Sequence, residues 1–256
     1  MLIAITREVS ATLAQCELTW LDREPIDIGK ARAEHLAYEQ CLRDLGVRVI
    51  SLPALDEHPD AVFVEDPAIV LDEVAIITTM GAESRRGERE SLTAAVGHYR
   101  PVIRMRDPAR LEGGDVMRVG RHLYAGLSGR TDAAGVAQLA EDLAPYGYEV
   151  YGVELHGCLH LKSACCALSD DAVLLNREWV DTSRFGGYRL IDVAPEEPAA
   201  ANALAIGNTV VMPDAYPATA EILRREGFHV RALDMTELMK AESGVTCSSL
   251  LFEFRC

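Results

Sequence analysis

The sequence predicts an α/β fold in which five ββαβ units close into a ring around a central cavity. Three observations carry this. Four passages repeat one grammar: an apolar strand, a tight polar turn, a second apolar strand, a loop or helix, then another strand. The polar residues that stand before the first strands, Glu65, Glu112, His160, Asn202 and Cys247, are spaced by 47, 48, 42 and 45 residues. The last unit is incomplete at the C-terminus, and the helix it lacks lies at the N-terminus. A closed ring removes exposed sheet edges and lets the first strands converge on one cavity. An ordinary open α/β sheet is the competing reading.

In chain order, Asp27 caps a helix over residues 28–45, which Gly46 stops. A strand over 64–70 turns at Asp72-Glu73 into a second over 74–78. A strand over 115–119 turns at Gly120-Arg121 into 122–125. Thr131 then caps a helix with Val136, Leu139, Ala140 and Leu143 at helical spacing, and Gly147 ends it before a strand over 148–155. A strand over 163–168 turns at Asp170-Asp171 into 172–175. The fourth unit runs from 203–206 through Gly207-Asn208 to 209–212, with a helix opened by Pro217 and Thr219 and closed by Gly227 before 228–233. Residues 245–254 supply the strand of the split fifth unit, so residues 1–256 read as one domain. Gly, Asn and Asp suit these turns because they tolerate hairpin geometry.

Composition narrows the function. Among 256 residues, 25 Lys and Arg face 40 Asp and Glu, a net charge of −15, and 49 % are hydrophobic. The apolar content excludes disorder. The acidic balance argues against nucleic acid and against an anionic membrane surface, while leaving room for a pocket that takes a small cation. No stretch approaches the ~18 apolar residues that span a bilayer, and Arg7 and Glu8 end the apolar run at the N-terminus. The seven cysteines, at 16, 41, 158, 165, 166, 247 and 256, form no CxxC pair, so neither a zinc ribbon nor a thioredoxin-type site is expected. The chain reads as cytoplasmic with reduced thiols, and its oligomeric state is left open, a homodimer included.

The anchors are chemically odd for strand entrances. Glu65 and Asp66 stand among Phe63, Val64, Ile69 and Val70, where a buried acid needs a partner, and Pro67 keeps Asp66 extended. Glu112 precedes Gly113-Gly114, a pair that permits positive φ and close backbone approach to a ligand. His160 and Cys247 alone would read as a core histidine and a small buried thiol. The repeat changes this by sending both into one cavity with Glu112 and Asp66. Together they offer a nucleophile, a proton shuttle, an orienting group and a clamp for a cation.

Six stretches carry a resemblance over the whole chain: Phe63-Val64-Glu65-Asp66-Pro67, Gly81-Ala82-Glu83-Ser84-Arg85-Arg86-Gly87-Glu88, Glu112-Gly113-Gly114-Asp115, Gly126-Leu127-Ser128-Gly129-Arg130-Thr131, His160-Leu161-Lys162, and Gly244-Val245-Thr246-Cys247-Ser248-Ser249-Leu250. In order, they resemble the dimethylargininases (dimethylarginine dimethylaminohydrolases) of the guanidine-modifying superfamily, whose fold is the five-bladed α/β propeller called the pentein. The resemblance implies hydrolysis of Nω-methylated arginines to citrulline and a methylamine. It places the nucleophile on Cys247, the general acid and base on His160, and the group that supports the histidine on Glu112. Guanidinium-binding acids fall on Glu65 and Asp66. Asp60, Arg85 and Arg130 match residues that hold the amino-acid end of the substrate, and Leu18 and Ala241 match positions that act through backbone contacts or lid closure. Position 241 usually carries a larger aliphatic residue in the family.

The implied chemistry suits these residue types. Paired carboxylates orient a planar cation through charge-assisted hydrogen bonds. A thiolate attacks the central carbon, the imidazole protonates the departing amine, and an S-alkylthiouronium remains until water releases citrulline. No metal or cofactor is required, and a soft divalent metal on Cys247 and His160 would inhibit. The expected partner is a small cationic guanidine. An arginine deiminase-like hydrolase is the nearest alternative. A non-catalytic pentein, like the ribosome anti-association factor, would have no need of Cys247, His160 and Glu112 together, and a redox protein would need a resolving thiol.

Overall fold

A computed structural model describes residues 1–254; Cys256 lies outside them. Five three-stranded sheets follow one another along the chain. In each, the first strand pairs antiparallel with the second, and the second pairs parallel with the third. The first sheet is Ala68–Val70, Ala75–Ile77 and Val102–Arg104. Val116–Val119, His122–Leu127 and Glu149–Glu154 make the second, and Cys165–Ala167, Ala172–Leu175 and Arg189–Asp192 the third. Leu204–Ile206, Thr209–Pro213 and His229–Leu233 form the fourth. The fifth joins both ends of the chain, Leu250–Glu253 against Leu2–Arg7, with Arg48–Leu52 beyond.

The repeat read from the sequence is therefore a repeat of sheets. The parallel crossovers are helical where the helix signals stood, at Ile28–Asp44, Ala133–Leu143 and Pro217–Arg225, and a further helix that the sequence reading did not name crosses at Arg89–Gly97. In the third unit only a single 3₁₀ turn, Thr182–Phe185, crosses between strands, because the connection is short and ends in Gly186-Gly187. Asp27 caps its helix as expected, accepting from the Lys30 N–H at 3.0 Å. The second-unit helix is capped by Asp132, which accepts from Gly135 N–H at 2.8 Å, rather than by Thr131. At the two-residue loops opened by Gly120 and Gly207, φ is +58° and +57°, the left-handed geometry that tight hairpins demand.

Second strands are buried over most of their length, and Ala75–Ile77 and Ala172–Leu175 over all of it, which explains why they read as unbroken apolar runs rather than alternating ones. Side chains such as Ile76, Leu174 and Val210 are fully buried between neighbouring units, each worth about 1.5–3 kcal/mol. First strands are shorter than expected. Helical turns reach into the starts of the expected strands: Gly113–Asp115 takes in Asp115, Leu161–Ala164 takes in Ser163 and Ala164, and Thr246–Ser248 lies wholly within 245–254. Three or four residues are too few for periodicity to separate a turn from a strand. Glu112 and His160 stand immediately before such turns, and Cys247 within one.

First strands of neighbouring units lie side by side: Leu250–Glu253 against Ala68–Val70, and Cys165–Ala167 between Val116–Val119 and Leu204–Ile206. They wall a cavity of about 250 Å³ inside the ring, where Glu65, Lys162 and Thr246 supply polar lining.

Candidate active site

A second, smaller pocket collects most of the chemistry. Asp60, Asp66, Arg85, Arg130, His160, Ala241 and Cys247 all line it. Of the other residues singled out in the sequence, Glu112 lies fully buried behind His160. Glu65 lines the inner cavity instead, and Leu18 packs onto the apolar cluster around Phe63 and Val245.

His160 is buried, and its Nε2 donates to Glu112 Oε2 at 2.8 Å. Its Nδ1 lies 3.9 Å from Asp66 Oδ1. Glu112 is held in turn, its Oε1 accepting from the Ala82 N–H at 3.0 Å and lying 3.5 Å from Arg130 Nη1. Thr131 accepts the Glu112 N–H through Oγ1 at 3.1 Å, which is its role in place of helix capping. Burial opposes ionisation of Glu112, but the bond to His160 wins and holds the carboxyl down near about 2. Burial likewise disfavours the charged imidazole, and Asp66, Asp115 and Glu112 outweigh it, pushing His160 up to about 9. At neutral pH His160 is an imidazolium clamped to a carboxylate.

Asp66 accepts from Arg85 Nη1 at 2.6 Å and from the Gly114 N–H at 3.2 Å. A Cβ on Gly114 would sit 2.6 Å from Asp66 Oδ1 and 2.8 Å from His160 Nδ1. Close approach is therefore what this glycine supplies; neither Gly113 nor Gly114 takes a positive φ. Arg85 also donates to both oxygens of Glu88 at 2.9 Å and to the carbonyls of Asp60 and Phe63. Burial pushes Glu88 up to about 7 against the pull of Arg85.

Cys247 Sγ receives the Gly244 N–H at 3.4 Å. Burial first, then Glu65 and Asp66, raise its thiol far above the ordinary range, with Gly244 and Lys162 opposing. The resting sulfur is a neutral thiol. Glu65 accepts from Lys162 Nζ at 2.7 Å and from Thr246 Oγ1 at 2.8 Å, so its charge acts on the sulfur from outside the pocket.

A strap closes the pocket. Asp60 accepts from the Glu17 N–H at 3.1 Å, Arg130 Nη2 donates to Thr19 Oγ1 at 3.0 Å, and Glu242 accepts from the backbone N–H groups of Thr19, Trp20 and Leu21. The enclosed volume is about 20 Å³, room for roughly one water.

Five residues that matter here were not singled out by sequence: Glu88, Asp115, Lys162, Asn202's partner Thr246, and Glu242. Asp115 buries its carboxylate between the Leu161 N–H at 3.0 Å and Ser128 Oγ at 2.7 Å, and so fixes the turn that follows His160. Glu88 had a readable signal, the i,i+3 spacing from Arg85.

Five such sheets in a ring, with a cysteine, a histidine and carboxylates gathered at one pocket, make the chain a pentein. A family model described as N,N dimethylarginine dimethylhydrolase, eukaryotic, matches residues 13–212. The N(G),N(G)-dimethylarginine dimethylaminohydrolase of Pseudomonas aeruginosa is 39 % identical over 228 residues, covering 88 % of this chain and 90 % of the relative. That of Streptomyces coelicolor is 38 % identical over 249 residues, covering 96 % and 95 %. The chain belongs to the dimethylarginine dimethylaminohydrolase family. The solved structure of the Pseudomonas aeruginosa enzyme, as a cysteine-to-serine mutant complexed with citrulline, matches with a TM-score of 0.93 at 36 % identity over 98 % of both chains.

Among the described residues, no helix is long and apolar enough to cross a membrane.

Proposed function

We propose that this chain is a cytoplasmic enzyme that hydrolyses Nω-dimethyl- and monomethylarginine to citrulline and a methylamine through a covalent intermediate on Cys247. The observation that carries the reading is one pocket lined by Cys247, Asp66 and a His160 that Glu112 holds at 2.8 Å. Asp66 binds the guanidinium, once Arg85 yields part of its hold. Arg85, Arg130 and Asp60 lie where they can take the substrate's carboxylate and ammonium, with the 17–21 strap and Ala241 closing over them.

The cation's arrival offsets the field of Asp66 and Glu65, and Cys247 releases its proton to solvent. The thiolate attacks the guanidinium carbon to give a tetrahedral adduct. His160 transfers its proton to the methylated nitrogen, dimethylamine leaves, and the S-alkylthiouronium remains. Neutral His160 then removes a proton from water, whose oxygen attacks the same carbon. Collapse expels the thiolate and, with loss of one proton, releases citrulline. Glu112 keeps the imidazole oriented and its charged form stable throughout.

The test is to incubate purified protein with arginine, monomethylarginine and both dimethylarginine isomers and assay citrulline. Methylated substrates yielding citrulline support the reading; citrulline from arginine alone supports a deiminase, and none from any substrate ends it. A second expectation concerns Gly114→Ala. The added methyl displaces Asp66 and His160 without touching Cys247, so kcat should fall at least about 100-fold in a folded protein. Steady-state kinetics beside thermal melting checks this.

A further inference from the structure

Asn202, the fourth anchor in the series, plays no part in the chemistry above, yet it is buried and both ends of its amide are bonded. Its Oδ1 accepts from the Thr246 N–H at 3.1 Å, and its Nδ2 donates to Thr246 Oγ1 at 3.1 Å. Thr246 Oγ1 donates onward to Glu65 Oε2 at 2.8 Å, and the Glu65 N–H reaches the carbonyl of Cys247 at 3.3 Å. On the other flank, Gly244 lies so close that a Cβ there would sit 2.3 Å from Asn202 Cγ and Oδ1. It is the Gly244 N–H that meets the sulfur of Cys247. The turn that bears the thiol thus rests on one amide from both sides.

The direction of these bonds makes the amide specific. The Thr246 hydroxyl commits its single proton to Glu65 and therefore presents a lone pair, which needs a donor. The Thr246 N–H beside it needs an acceptor. A primary amide offers both at once, whereas a carboxylate would set acceptor against acceptor. We infer that Asn202 is a positioning residue for Cys247, fixing the 244–247 turn so that the Gly244 N–H meets the sulfur and the thiol keeps its place beside Asp66. This inference rests on the proposed function and adds to it a residue that never touches substrate.

The test compares Asn202→Asp, Asn202→Ala and Thr246→Val for kcat, KM and melting temperature, and for the rate at which chloroacetamidine, a cationic alkylating reagent, modifies Cys247. Folded variants should lose at least about 100-fold in kcat with KM within about threefold, and alkylation should slow in parallel. Asn202→Ala combined with Thr246→Val should be no worse than about threefold below the less active single variant, since both remove the Nδ2 to Oγ1 bond. Lowered melting with kcat and alkylation preserved would assign Asn202 to structure alone and overturn the inference, as would additive losses. If the Asn202 variants do not fold, Thr246→Val removes the hydroxyl half of the link and leaves the Asn202 Nδ2 without its acceptor while the Thr246 N–H bond stays, and unchanged kcat and alkylation in it overturn the inference. Alkylation reads the thiol without a methylarginine. Failure of the proposed function appears separately, as absence of citrulline from the unaltered chain.

Discussion

Cys247→Ser is expected to abolish citrulline formation, by at least about 10,000-fold, while methylarginine still binds. The hydroxyl that replaces the thiol is a far weaker nucleophile. It also gains no base in exchange, because His160 is already protonated through its bond to Glu112 and its neighbours Asp66 and Asp115. The groups that take the cation, Asp66 foremost, do not depend on the sulfur for their geometry; they are held by Arg85 and Gly114. Calorimetric titration beside an activity assay separates the two effects. Turnover above about one per cent of the unaltered rate would mean another nucleophile.

Replacing His160 by Asn or Gly should produce the second large effect and a different signature. The thiolate can still form when the cation binds, so attack proceeds in part. What is lost is the proton for the leaving amine and the base for water, and turnover should fall by about 100- to 10,000-fold. A substrate with a leaving group that needs no protonation should then load the enzyme and stay. Mass spectrometry of the acid-quenched variant should show the thiouronium on the peptide containing Cys247. Hydrolysis at the unaltered rate would remove His160 from the mechanism. Release of Glu112 from its partner also exposes a buried carboxylate without its cation, so melting should be checked alongside.

What the sequence disclosed depended on the range of the interaction. The units were legible because Val173 to Leu175 or Val210 to Met212 write an unbroken apolar run, and Gly120 and Gly207 punctuate it locally. The anchors were legible through their spacing, which no single residue would have revealed. Cap choice was not: Thr131 and Asp132 are adjacent candidates, and the buried N–H of Glu112 claims the threonine. Strand starts were misplaced because the turns at Gly113–Asp115 and Leu161–Ala164 are shorter than any period. Glu65 and Asp66 read as twin acids at a strand entrance, yet residues 64–67 form a turn before the strand begins at Ala68, and the two side chains part company. Asp66 meets the pocket, and Glu65 meets Lys162 in the inner cavity. Lys162, Thr246 and Glu242 act across 97, 181 and over 200 residues of chain, contacts that local pattern does not carry.

The account turns on one electrostatic claim: Asp66, which recognises the guanidinium, joins burial and Glu65 in keeping Cys247 protonated until that cation arrives. Burial, Glu65 and Asp66 all disfavour the thiolate, so the free enzyme's thiol titrates above the ordinary thiol value of about 8.5. The measurement is the rate of Cys247 inactivation against pH, using a neutral and a cationic alkylating reagent of matched intrinsic reactivity. The neutral reagent should be slow at neutral pH and accelerate only as pH climbs past about 8.5, whereas the cationic one, by bringing its own charge, should already be fast near pH 7. A neutral-reagent profile with an apparent pKa below about 7 would instead reveal a preformed thiolate paired with His160, and would contradict the account.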